Sequence, residues 1–260
     1  MSLSQPLHER RIPMKSLKIG FLSAILFASF SSHGLLVSAA EEAAQSDSHV
    51  MFYADDSGTT TPIDPTDPST SVTPSDTVSP SQGALRIDYA SQISFGEQQI
   101  SGSDKDYYAL LTEIQPLNDK SEPVGPKKYV APYVQVTDNR GANSGWQLSL
   151  ASSPFKTTDG EELRGAQLSL SNAQVNSVLP TSFAPAVSSS SITLSNTPQN
   201  ILTANTEKGM GTWTNAFGNN TDNSEQSTTT GIKLHVPAES KKLADEKYQS
   251  TLTWILSDTP

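Results

Sequence analysis

Two tripeptides of the same form, Trp146-Gln147-Leu148 and Trp254-Ile255-Leu256, lie far apart in the chain. In a strand, residues i and i+2 face one side, so Trp146 with Leu148, and Trp254 with Leu256, each make an apolar pair. Leu150 and Leu252 extend those faces. One use of such a pair is core packing, since burying a Trp removes about 150–250 Å² from water, roughly 4–6 kcal/mol. The other is an aromatic platform for the apolar faces of sugar rings, supported by hydrogen bonds from Asn, Gln and Ser. The leucine at i+2 favours the core for both tryptophans. Trp213, in GMGTWTNAFGNN, has no alternating apolar partner. As a loop aromatic beside Asn215 and Phe217 it is the better sugar-stacking candidate, or else a plug over one end of the fold. Trp213, Phe217 and the loop Asp138 to Asn143, with Asp138, Asn139 and Arg140, are the expected ligand contacts.

Other chemistries find little to work with. There is no cysteine among 260 residues, which removes disulfides, thiolate metal sites, thiol nucleophiles and a lipidated cysteine. Seventeen Lys and Arg against 27 Asp and Glu leave a formal charge of -10, the wrong sign for a nucleic-acid partner. Glu161-Glu162, or Asp222 with Glu225, could serve as paired carboxylates only as any acidic loop could. Beyond residue 40 the histidines are His49 and His235, too few for a zinc cluster and weak support for a Ser/His/Asp triad. Neither G-x-S-x-G nor a P-loop occurs. Gly209-Met210-Gly211 lacks the strand, helix and third glycine of a dinucleotide site, and Asp104-Lys105-Asp106 lacks the central Gly and final Glu of a calcium loop. No catalysis, cofactor or metal is expected. Lys127-Lys128 and Lys241, Lys242 and Lys247 read as solvated surface.

The segments that must carry these residues fall into three parts. Arg10, Arg11, Lys15 and Lys18 precede an apolar run from Ile19 to Phe30, and Val37-Ser38-Ala39-Ala40 offers small residues for cleavage. Residues 1–40 thus have the layout of a secretory signal peptide, with Met14 as an alternative start. Twelve helical residues rise only about 18 Å against a hydrocarbon core of roughly 30 Å, which disfavours an uncleaved anchor. Cleavage would leave 13 basic against 26 acidic residues, a net charge of -13, and no integral membrane span. Residues 41–82 read as a disordered linker. From Asp55 to Gln82, Asp, Ser, Thr and Pro fill 23 of 28 positions, too little apolar surface to offset the entropy of folding. That spacer, a stalk or simply a tail, could reach on the order of 85 Å.

Residues 83–260 read as one all-β, sandwich-like domain of many short antiparallel strands. Leu85, Ile87 and Tyr89 alternate with polar residues, as do Trp146 to Leu150, Ile232 to Val236 and Leu252 to Leu256; Thr137-Asp138-Asn139-Arg140-Gly141 supplies a turn. Two stretches leave room for a short helix. Tyr107 to Ile114 is ambiguous, and Ala238 to Gln249 fits a surface helix or a loop.

The two W-x-L tripeptides and their flanks resemble the WxL domain of Gram-positive surface proteins. The resemblance extends to GALRIDYASQISFGEQQIS, YVQVTDNRG, LRGAQLSLSN and Gly209-Met210-Gly211-Thr212-Trp213, and covers residues 83–260. It implies a secreted cell-surface protein bound non-covalently to the wall, with peptidoglycan as ligand. It further implies assembly with membrane-anchored WxL-interacting proteins and sortase-anchored surface proteins. The sequence has no LPxTG-like signal, terminal hydrophobic tail or lipidation cysteine, so the folded domain is expected to be the anchor. An assembly subunit that meets another surface protein by an edge strand or patch is the alternative. The acidic charge opposes binding to anionic wall polymers, so attraction is expected from neutral glycan or peptide contacts, or from local clusters such as Lys127-Lys128 or Lys241, Lys242 and Lys247.

Overall fold

The structure, a computed structural model, describes residues 46, 48–54, 56, 58–76, 80–219 and 224–260. The chain divides into two units, Met1–His49 and Val50–Pro260, and the fold concerns the second. The signal-peptide reading of residues 1–40 lies outside the described residues. No helix among the described residues is long and apolar enough to cross a membrane.

Among the described residues sixteen strands follow in chain order: β1 (Ile63–Asp64), β2 (Asp67–Pro74), β3 (Leu85–Ala90), β4 (Lys105–Leu110), β5 (Thr112–Pro116), β6 (Lys128–Val130), β7 (Tyr133–Asp138) and β8 (Trp146–Ser152). They continue with β9 (Gln167–Ser171), β10 (Ala173–Asn176), β11 (Ala186–Val187), β12 (Ser191–Thr193), β13 (Gln199–Ala204), β14 (Gly211–Phe217), β15 (Thr228–Val236) and β16 (Leu252–Ser257). They pair into four antiparallel sheets of four strands, ordered β1-β2-β5-β6, β10-β14-β7-β3, β11-β13-β8-β16 and β12-β9-β15-β4. The fold is all-β, as the alternation predicts. A single 3-10 turn at Thr181–Phe183 is the one helical element among the described residues. Tyr107 to Ile114 resolves into β4 and β5, and Ala238 to Gln249 is a loop whose turns are tied by Lys242 Nζ donating to the Pro237, Ala238 and Ser240 carbonyls.

The main core lies among three of the sheets. Val134 and Val136 of β7, Leu148 and Leu150 of β8, Leu168 and Leu170 of β9 and Ile232 of β15 meet there. β7 is buried along its whole length because both its faces are covered. Val134 and Val136 face the main core. On the other face Tyr133 joins Val72 of β2, Ile114 of β5 and Val130 of β6 in a second cluster.

That second cover corrects the linker expectation. Ile63–Pro74, inside the stretch read as a solvated spacer, forms β1 and β2 and belongs to the folded unit. Along β2 every second residue turns inward, ending on Val72, which is fully buried. The segment is strapped down mostly by polar bonds. Ile63 N–H donates to Gln135 Oε1 (2.8 Å), Lys128 Nζ to the Asp64 carboxylate (2.5 Å) and Asn176 Nδ2 to the Pro65 carbonyl (3.1 Å). Beneath it Arg86 and Asp88 form a buried ion pair at 3.0 Å. Arg86 also donates to the Gly83 carbonyl and to Thr60 Oγ1, while Asp88 accepts from Gln135 and Thr137. Such a buried pair is tolerated only when its remaining hydrogen-bonding capacity is filled, and Thr60 of the strap fills part of it.

Candidate functional site

β8 and β16, the strands that carry the two motifs, are hydrogen-bonded neighbours. Antiparallel register sets Trp254 opposite Leu150, Leu256 opposite Leu148 and Leu252 opposite Ser152. Both W-x-L pairs therefore turn to one face of one sheet, towards the main core. Their environments differ. Trp146 is 0% exposed, and its Nε1 donates to the Gly209 carbonyl at 2.9 Å. Trp254 is half-buried on a strand at the sheet's edge.

The turn Gly209-Met210 serves both buried indoles, because Trp213 Nε1 donates to the Met210 carbonyl at 2.8 Å. Gly209 sits at φ +71, and a Cβ there would stand 2.6 Å from Trp146 Nε1. Only glycine lets the turn approach the ring closely enough for the bond. Gly145, just before Trp146, is equally constrained, since a Cβ at its φ of +85 would lie 2.2 Å from the Ala204 carbonyl oxygen. The glycines around these tryptophans are thus part of how the indoles are seated.

The expectation of an exposed stacking aromatic at Trp213 is corrected. Trp213 lies in β14 opposite Val136 and is buried. Phe217, at the end of the same strand, is buried too, and its ring lies 6.4 Å from that of Trp254. The loop after β7 is closed on itself. Asp138, buried, accepts from the backbone N–H, Nε and Nη2 of Arg140, and the same guanidinium donates to the Gly145 carbonyl at 2.6 Å. That carboxylate, with Asp258 adding, holds the Arg140 guanidinium above its ordinary pKa. Asn139 is exposed, with its N–H bonded to the Ala84 carbonyl. Of the sequence-derived contacts, Asn139, Arg140 and the rest of the loop to Asn143 keep surface, as do Trp254 and Leu256, whereas Asp138, Trp146, Leu148, Trp213 and Phe217 are buried.

The β8–β16 ladder leads from this charged loop to a concavity at its other end. A hollow of about 240 Å³ opens where β8 gives way to Ser153, Pro154 and Phe155. Its lining includes Ser152, Ser153, Phe155, Glu162, Ser195 and Asn196. Phe155 is half-buried, with part of its ring packed on the main core and on the Leu163 cluster. Ser153 Oγ accepts from Thr251 N–H at 2.8 Å, and Glu162 stands 3.6 Å from Lys156 in an exposed pair. An apolar floor with a rim of hydroxyls, an amide and a carboxylate matches the surface of a sugar ring or an amide-bearing peptide. No sequence pattern announces it, because its residues come from three separate loops with no common spacing. Among the described residues no group of three His, Asp or Glu side chains is placed to hold a metal.

A family model described as WxL domain surface cell wall-binding matches residues 39–260. No curated protein and no solved structure matches the chain. The matched span takes in the strap of β1 and β2 as well as both W-x-L strands, and the chain therefore belongs to the WxL family of surface cell wall-binding domains.

Proposed function

We propose that this is a secreted, non-catalytic surface protein that holds to peptidoglycan non-covalently through its WxL domain, after removal of residues 1–40. The family match over residues 39–260 carries the reading. The hollow beside Phe155 supports the choice of ligand: its lining offers a partly exposed aromatic with hydroxyl and amide groups and one carboxylate, Glu162, suited to an N-acetylated sugar or its peptide stem. With a net charge of -10 for the whole chain, neutral contacts are the ones that anionic wall polymers do not oppose. Purified protein should co-sediment with peptidoglycan stripped of proteins and anionic polymers, with little dependence on salt and no release of soluble fragments. Asn196→Ala combined with Ser195→Ala, both exposed neutral residues of the rim, should weaken binding roughly tenfold, about 1.4 kcal/mol. Loss of binding as salt rises, or muropeptide release, would overturn the neutral-contact or the non-catalytic part respectively.

A second reading is favoured by the uncovered edge of β16. Here the domain is an assembly subunit retained at the wall through other surface proteins, membrane-anchored WxL-interacting or sortase-anchored. Absence of co-sedimentation with bare peptidoglycan, with retention on whole walls, would select it.

A further inference from the structure

Among the edge strands, β16 alone combines length with no protection. β1, β6, β11 and β12 have two or three residues, and β10 has four. β3 contains Arg86 and Asp88 and has a bulged register, and β4 begins Lys105-Asp106. β16 is six residues long, LTWILS, without charge, proline or register shift. Its far side from β8 has no strand partner among the described residues, and Ile255 on the outer face is 42% exposed. Proteins that remain monomeric blunt such edges with charge, proline or bulges. The same chain exposes a second unpartnered apolar feature. Val50, Met51, Phe52 and Tyr53 are 74 to 91% exposed, a run of four apolar residues rich in strand formers.

We propose that the Val50–Tyr53 segment of one copy adds as a strand to the free edge of β16 in a second copy. Alternation suits the match. Val50 and Phe52 would continue the side of Leu252, Trp254 and Leu256, while Met51 and Tyr53 would lie beside Ile255, or the reverse. Backbone pairing supplies the attachment and the side chains its selectivity, the mode of strand addition seen wherever a peptide joins a sheet edge. Charge argues for an apolar contact, because two copies at -10 each repel. Added salt should therefore strengthen the association.

Sedimentation velocity of the purified protein over a range of concentrations tests this. The wild type should self-associate, more so at high salt. Phe52→Asp, at an exposed site outside the core clusters, should remain monomeric, and so should Ile255→Lys. Mixing the two variants should restore a heteromeric complex, since one keeps an intact edge and the other an intact segment. A wild type that stays monomeric at hundreds of micromolar overturns the proposal. So does association that persists in Phe52→Asp, which would mean β16 pairing with β16, and so does failure of the mixture to associate. Peptidoglycan co-sedimentation by Phe52→Asp should equal that of the wild type, so the two proposals fail separately.

Discussion

At the scale of single residues, seating a side chain and presenting it to a ligand are opposed demands, and this domain settles them differently at its three tryptophans. Trp146 and Trp213 are enclosed, and each gives its N–H to a carbonyl of one turn. A buried indole without that acceptor would carry a cost of about 1–3 kcal/mol. Trp254 has no such bond among the described residues and retains surface. The i+2 leucine made the burial of Trp146 legible, whereas the burial of Trp213 was hidden: its strand neighbours Thr212, Thr214 and Asn215 are polar, and the pattern reads as loop. Asn215 is fully enclosed even so, with neither amide atom bonded among the described residues. Tyr133 is a similar case, and it yields a prediction. Its hydroxyl is buried with no partner among the described residues, so the fold bears the desolvation of that group without return. Tyr133→Phe should raise stability at neutral pH by about 1 kcal/mol, read from chemical denaturation, where most core substitutions would lower it.

Among the elements, the strap of β1 and β2 decides where the domain starts. Composition pointed to a spacer because Asp, Ser, Thr and Pro dominate, and composition was misleading for a definable reason. The segment contributes few apolar side chains, Val72 chief among them, and is retained largely by hydrogen bonds to partners far along the chain: Arg86, Lys128, Gln135 and Asn176. Such long-range bonds leave no periodic trace in the sequence that makes them. The strands of the main core were legible by contrast, since each carries its own alternation. A chain cut to begin at residue 83, where the sequence places the boundary, would uncover Arg86, Asp88 and the second cluster, and would lose the Asp64–Lys128 pair. A chain beginning at residue 58 keeps them. Losing Val72 burial and several buried bonds costs roughly 4–6 kcal/mol, so the shorter chain should melt some 10–20 °C below the longer one, or fail to fold. Equal melting temperatures by scanning calorimetry would return the segment to the status of a tether.

For the whole molecule, the ionisable groups set a pH window, and its two limits have different origins. On the acid side Glu113 is held low by Lys127, Glu161 by Lys241, and Asp106 by His235 and then Lys233. A depressed carboxylate stabilises the fold above its ordinary range, near 3.8 to 4.5, and the contribution disappears as pH falls through its folded value. These pairs are on the surface and each is worth little, so acid weakening should be gradual and blunted by salt. On the alkaline side the cause is burial. Tyr89, whose hydroxyl donates to Asp76 at 2.5 Å, and Tyr133 are both pushed above the ordinary value of 10, chiefly by desolvation of the phenolate. A raised tyrosine leaves stability intact below pH 10. Above it the unfolded chain releases protons that the fold retains, and stability falls by about 1.4 kcal/mol per pH unit for each such group. Melting temperature should therefore hold from pH 6 to 9.5 and drop steeply between 10 and 11.5. In Tyr133→Phe one of the two buried groups is gone, so the alkaline slope should become shallower while the acid limb stays as it was; Tyr129, raised by desolvation and by Glu113, contributes in both chains. An unchanged alkaline slope would show that the Tyr133 phenol ionises as readily in the fold as in the open chain, and would place an unrecognised opening of the strap beside it.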